Sequence, residues 1–283
     1  MGTNGAFGGS GAAAWDHVRD EWTSLGGQSD GGSVDDATPT ADGDPAYDAL
    51  ISAIAGALIG EDPDARHPSV PSFALSDILP RRGGVRGGGS GGSSGGGGAS
   101  GGGGSSSGGR RVTSQAARGG SAIGAATAYR DRDTAALAGY GLTLEELDAL
   151  SPRMRCARIL DVAIGQAGHP DEHAMRQASL EQIKVLLANG PESGTIAGLE
   201  AIRNFIGELT VRLGLIELRD QILANSVTAK QAHQREIGLR QWVKAKVARI
   251  DLGRYGTVTT RDFHQVARQM SADVLRLLKG DQS

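Results

Sequence analysis

The chain has 283 residues, a formal net charge of −3, 45 glycines and only 4% aromatic residues, so part of its length cannot build a core. It contains neither a long apolar run nor a basic and apolar leader, and we therefore expect no membrane span, no secretory signal and a cytoplasmic location. Its single cysteine, Cys156, cannot form an intramolecular disulfide, and its helix-like setting predicts a buried structural thiol.

Charge is segregated along the chain. Residues 1–80 carry thirteen acids against two arginines, whereas residues 81–130 carry seven arginines and no acid. A basic block can be a nucleic-acid arm, and Arg110, Arg111 and Arg118 are the candidate contacts. The arginines are widely spaced, however, and no aromatic residue before Tyr129 could stack on bases. We therefore prefer a contact within the chain or with a protein partner.

Two helices are predicted before the basic block, at 13–25 and 45–59. The first places Trp15, Val18 and Trp22 on one apolar stripe. That stripe could dock on the helical part of the same chain or enter a groove of another protein, because tryptophan is typical of binding hot spots. The second helix follows Pro45 and is apolar almost all round, which predicts that other elements cover it.

A glycine and serine stretch then separates two parts of the chain. Residues 83–109 hold seventeen glycines in twenty-seven positions. Such a segment cannot repay the entropy of ordering, and we expect a random-coil tether with a span of roughly 25 to 30 Å. The predicted organisation is thus a partly disordered acidic region (1–80), a tether (81–109) and a helical domain (110–283).

The region after the tether predicts an all-α fold, with a C-terminal helical bundle. The first helix runs through VTSQAARGGSAIGAATAYR, and only YGTVTT could be a strand. Thr143 with Glu146, and Thr228 with Gln231, have capping-box spacing. Prolines after Ser151 and His169 are placed to begin helices. The remaining helices are predicted at 132–138, 144–150, 152–166, 170–188, 195–224, 229–251 and 260–279.

We find no signature of catalysis or of metal binding. His169 and His173 are spaced as metal ligands could be, but Pro170 begins a helix between them, so a capping or surface role is expected and no metal site. The glycines of 83–109 lack the flanking strand and the lysine of a phosphate loop. We therefore expect a protein that is not an enzyme and that has no cofactor of its own.

The first residues, MGTNGAFGGSG, allow a modification site. Gly2 is small enough for Met1 to be removed, and an α-amine is about 10 to 20% neutral at pH 7, far more than a lysine. The myristoylation pattern requires Ser or Thr at position 6, where this chain has Ala6. The alternative is a disordered terminus with no role, which the residues alone favour.

Three segments resemble the QatB family of the bacterial Qat anti-phage defence systems: the MGT start, RRVTSQAARGGSAIGAATAYR, and LAGYGLTLEELDALSPRMRCARILDVAIG. The resemblance covers the first ten residues and about 110–170. It implies a non-enzymatic partner of QatC, which is similar to the QueC enzymes of deazapurine biosynthesis, and also of the ATPase QatA and the TatD-like nuclease QatD.

The resemblance leads to two hypotheses. In the first, the protein is an adaptor whose Gly2 is presented to QatC and modified by it, while Thr3, Trp15, Val18 and Trp22 contact the partner. In the second, the arginines of 81–130 present invading DNA or RNA to the nuclease. Salt would abolish nucleic-acid binding by counterion release, whereas Trp22→Ala would mainly weaken a protein contact.

Overall fold

The computed structural model describes residues 12–27, 45–62, 65, 112–189, 194–224, 228–256 and 258–280. Within these residues all regular structure is helical, which confirms the all-α prediction. The described residues form ten α-helices: α1 (Ala12–Gly27), α2 (Pro45–Glu61), α3 (Val112–Arg130), α4 (Thr134–Gly139), α5 (Leu144–Asp148), α6 (Pro152–Ala163), α7 (Pro170–Ala188), α8 (Gly194–Ala224), α9 (Ala229–Val247) and α10 (Phe263–Lys279).

Several sequence-based predictions fall outside the described residues: those for Gly2, Thr3, Arg110 and Arg111, and for the stretch 83–109. The segment YGTVTT holds no strand in its described part, because Tyr255 ends one 3-10 turn and Thr260 begins another.

Local capping chemistry sets the starts of several helices. Pro152 and Pro170 occupy the first turns of α6 and α7, as predicted. The Ser151 hydroxyl accepts a hydrogen bond from an amide of the first turn of α6. Thr228 and Gln231 form both halves of a capping box at α9, whereas Thr143 at α5 supplies the hydroxyl half.

The central helix of the bundle is α3. It is buried between α10, α7, α6 and α8 over most of its surface, although its sequence is mostly glycine, alanine and serine. The small side chains allow close approach: a Cβ on Gly119 would lie 2.1 Å from the Phe205 ring of α8, and one on Gly120 would lie 2.4 Å from Cβ of Ala267 on α10. Large residues of the neighbouring helices therefore fill the space that α3 leaves.

The two N-terminal helices pack into the same core as the bundle. α2 lies against α10 and buries Leu50, Ile51, Ile54 and Leu58, so the expected cover is present. α1 lies on α2 and α8. The core thus joins helices from both sides of the glycine stretch.

A buried carboxylate links these two parts of the chain. Asp62 directly follows α2 and is fully buried. It accepts hydrogen bonds of 2.8 Å each from the backbone amide and the hydroxyl of Thr113, in the first turn of α3. This contact satisfies an amide that α3 itself leaves unpaired and places a negative charge at the positive end of its dipole.

None of the helices in the described ranges is both long enough and apolar enough to cross a lipid bilayer.

Candidate functional site

An open groove lies between α6 and α7, with a cavity volume of about 740 Å³. The two helices are antiparallel neighbours, and Arg176 of α7 fastens one end of the pair. Its guanidinium donates to the carbonyl of Gly165 and, at 2.7 Å, to the Asp161 carboxylate at the end of α6. The volume is in the range of ligand-binding clefts.

The floor of the groove is apolar and its sides are cationic. The floor is the least exposed part of the lining: Cys156 and Leu160 of α6 are buried, and Leu180 and Leu187 of α7 are half-buried. Among the described residues the lining contains no carboxylate, and the four cations at its sides are Arg153, Arg155, Arg176 and Lys184. An apolar surface bordered by positive charge can bind an amphipathic anionic ligand.

Arg155 is held in position by backbone and aromatic contacts. It donates to the carbonyl oxygens of Leu147 at 2.9 Å and Leu150 at 3.1 Å, just before α6 begins. Its guanidinium carbon lies 4.8 Å from the centre of the Tyr129 ring, at the end of α3. These contacts fix the direction of the side chain, and Arg155 forms no direct ion pair with a carboxylate in the described part of the chain, although its charge acts on nearby Asp148.

A polar cluster beside the groove supports Arg155. The Tyr129 hydroxyl donates to the Asp148 carboxylate at 2.6 Å, and Arg132 donates to the other oxygen of that carboxylate. The hydrogen bond from Tyr129, together with that from Arg132, lowers the pKa of Asp148. Burial, followed by the bond to Asp148, raises the pKa of Tyr129. Tyr129 therefore remains a neutral surface on which Arg155 packs.

The other two cations, Arg153 and Lys184, are exposed. Neither forms an ion pair or a side-chain hydrogen bond with the residues that the structure describes. Their charges are therefore free to meet a ligand. Lys184 and Arg155 also influence the pKa of the Cys156 thiol. Burial raises this pKa, whereas the two cations act to lower it.

This balance predicts how Cys156 reacts. We expect its alkylation by iodoacetamide to show an inflection above the ordinary thiol pKa, because the reactive thiolate is disfavoured by burial. Lys184→Glu removes a cation that lowers this pKa, and it should move the inflection to higher pH. Lys244→Glu on α9, the same change at an exposed lysine outside the groove, should leave it unmoved. The test is the pH dependence of the alkylation rate; an inflection that Lys184→Glu does not raise would contradict the described electrostatics.

The predicted tryptophan stripe lies elsewhere, inside the core. Trp15, Val18 and Trp22 are all buried, with exposed fractions of 3% or less. The Trp15 indole donates to Glu61 at 2.7 Å, and Arg235 of α9 lies over the Trp22 ring. The structure thus shows the intrachain alternative, and in this conformation the stripe offers no exposed surface to a partner.

The described arginines of the basic block are also engaged within the chain. Arg118 donates to the carbonyl of Ile164 and, at 3.3 Å, to Glu172. A hydrogen bond from the amide of Gly168 is the main reason that the pKa of Glu172 is lowered, and Arg118 adds to it. Arg130 is buried and bonded to Asp131. The Arg118 contacts connect α3 to the end of α6 and to α7, whereas the Arg130 contact is with the next residue in the chain. Both leave little of either guanidinium for a nucleic acid.

His169 has the predicted capping role, and His173 is exposed on α7. His169 accepts a hydrogen bond from the amide of Asp171 and caps α7. The described residues contain no cluster of three or more potential metal ligands. Cys156 is a buried free thiol, as expected.

Sequence reasoning did not find the groove. The sequence contains one indication of it. On α6 the cations Arg153 and Arg155 lie beside the apolar Cys156 and Leu160, and α7 likewise combines cations with leucines. The two faces form one surface only when the helices are placed together. Comparisons of the chain with protein-family models, curated proteins and solved structures found no match.

Proposed function

We propose that this protein is a non-enzymatic adaptor of an anti-phage defence complex, and that it presents Gly2 to a QueC-like partner, QatC, which modifies it. The resemblance to the QatB family, at the N-terminus and in α3–α6, supports the family assignment. QatA and the TatD-like QatD are further candidate partners, which the bundle would hold while the N-terminus is presented.

The observation that carries the proposal is the anchoring of α1. The Trp15, Val18 and Trp22 side chains fix α1 to the bundle, and Gly2 lies ten residues before Ala12, where α1 begins. A chain of ten residues extends to at most about 33 to 36 Å. In this proposal the α-amine of Gly2 stays within that distance of α1 and has enough chain to enter a partner's active site.

The chemistry requires a free amine at Gly2. QueC-like enzymes activate the carboxylate of 7-carboxy-7-deazaguanine with ATP, and ammonia then attacks it. In the proposed reaction the α-amine of Gly2 replaces ammonia: an amide bond forms, the activating group leaves, and the amine loses a proton to solvent. Glycine suits this role because the absence of a Cβ lowers the steric cost of entering a narrow site.

The proposal is tested by intact-mass analysis of the protein after co-expression with its QatC partner. We expect loss of Met1 and a deazaguanine adduct on the N-terminal peptide. Gly2→Pro should abolish the adduct, because its amine is secondary and hindered, whereas Gly8→Pro serves as a matched control and should keep it. Retention of Met1, or an unmodified Gly2 in the functional complex, would refute the modification.

The nucleic-acid alternative has less support. Arg118 and Arg130, the described arginines of the basic block, are bonded within the chain. A measurement of binding to a DNA duplex between low and moderate salt separates the two hypotheses. A steep loss with salt would favour the alternative.

A further inference from the structure

The lining of the groove runs along both α6 and α7. Its walls are the 12-residue α6 and the 19-residue α7, which span about 18 and 28 Å at 1.5 Å per residue. A short helix of two to four turns matches that length. Both walls are helices, whose backbone groups are paired internally, so a ligand gains side-chain contacts rather than strand pairing.

The positive charge of the groove lining favours an acidic ligand. The whole chain is negative, with a net charge of −3, yet the lining residues that the structure describes include four cations and no acid. Only Arg176 of these four is paired with a carboxylate in the described residues. The described lining residues also include no aromatic side chain on which a base could stack, which separates the groove from a single-strand binding surface.

We propose that this groove binds a short amphipathic helix of a partner protein, with leucine-sized side chains on the Cys156 and Leu160 floor and acidic residues flanking them. The flanking carboxylates would meet Arg153 on one side and Lys184 on the other. This inference rests on the adaptor function proposed above, and it specifies the chemistry of the segment that the partner supplies.

A synthetic peptide tests the proposal on the full chain. The probe is a fluorescein-labelled helical peptide of about fifteen residues, with leucines at positions i, i+3 and i+7 and glutamates beside them. Its binding is followed by fluorescence anisotropy. A matched probe has lysine in place of every glutamate. We expect the acidic peptide to bind and the basic peptide to bind at least about tenfold more weakly.

Charge-reversal variants locate the site. Lys184→Glu, and separately Arg153→Glu, should each weaken binding of the acidic peptide by about tenfold or more, since both side chains are exposed and face the ligand. Lys244→Glu, the control on α9, should change binding by less than about twofold. Far-UV circular dichroism verifies that all three variants remain folded.

Four results would overturn the inference. They are no binding of the acidic peptide by the full chain, equal binding of the acidic and basic peptides, equal effects of Lys184→Glu and Lys244→Glu, and displacement of the acidic peptide by a single-stranded oligonucleotide.

The modification of Gly2 and the ligand of the groove can be refuted independently. An unmodified Gly2 with intact peptide binding refutes only the modification, whereas a modified Gly2 without peptide binding refutes only the groove ligand.

Discussion

Gly120→Ala should destabilise the protein by about 1 to 2 kcal/mol, although alanine is the better helix former. The new Cβ would lie 2.4 Å from Cβ of Ala267 and 2.7 Å from the carbonyl oxygen of Phe263. A backbone carbonyl cannot rotate away, so α3 and α10 must separate. Overpacking of this kind costs about 1 to 3 kcal/mol and exceeds the gain of about 0.5 to 1 kcal/mol from helix propensity. Urea unfolding followed by circular dichroism measures the change.

Gly56→Ala is the matched control for this prediction. Gly56 is also inside a helix, α2, but nothing lies within 4 Å of the Cβ that it would gain. The propensity gain is then unopposed, and the variant should be more stable by about 0.5 to 1 kcal/mol. If both variants were equally stabilised, α3 would not be packed as closely as the structure shows.

The bounds of several helices could be predicted from the sequence because local chemistry determines them. Pro152 after Ser151 and Pro170 after His169 fix the starts of α6 and α7 through first-turn geometry and capping bonds. Thr228 and Gln231 do the same for α9. Each of these signals lies within a few residues of the boundary that it sets.

The central place of α3 could not be predicted in the same way. Its composition is weakly apolar, and no periodic stripe distinguishes a buried face from an exposed one. Its burial depends on Phe205 and Phe263, which are far away in sequence and fill the space beside its glycines. The cap from Asp62 to Thr113 likewise joins residues on both sides of the glycine stretch.

The groove could not be predicted from the sequence for a related reason. Cations and leucines on α6 and α7 are, from the sequence alone, ordinary solvent-facing and core residues of two amphipathic helices. Only the tertiary pairing of the helices places Arg153 and Lys184 around one apolar floor. The tryptophan stripe shows the opposite case: its periodicity was evident, but the sequence did not decide between a core and a partner surface.

Trp22→Ala should have the largest effect on stability, a loss of about 3 to 5 kcal/mol. The indole is 2% exposed and is among the largest fully buried side chains of the chain. Its removal leaves a cavity between α1 and the bundle, and it also removes the ring on which Arg235 stacks, 5.6 Å from the ring centre. The measurement is the free energy of unfolding in urea.

Trp22→Phe separates packing from the polar part of the indole. The Trp22 Nε1 group is buried without a hydrogen-bond partner in the described residues, so its loss carries no bonding cost. Phenylalanine should therefore retain most of the stability, with a loss of about 1 to 2 kcal/mol from reduced volume. A Trp22→Ala loss no greater than this would place Trp22 outside the core. The two variants also separate two causes of lost partner binding. If Trp22→Ala loses a partner that Trp22→Phe retains, the loss follows from release of α1. A partner lost equally by both variants would indicate direct contact with the indole.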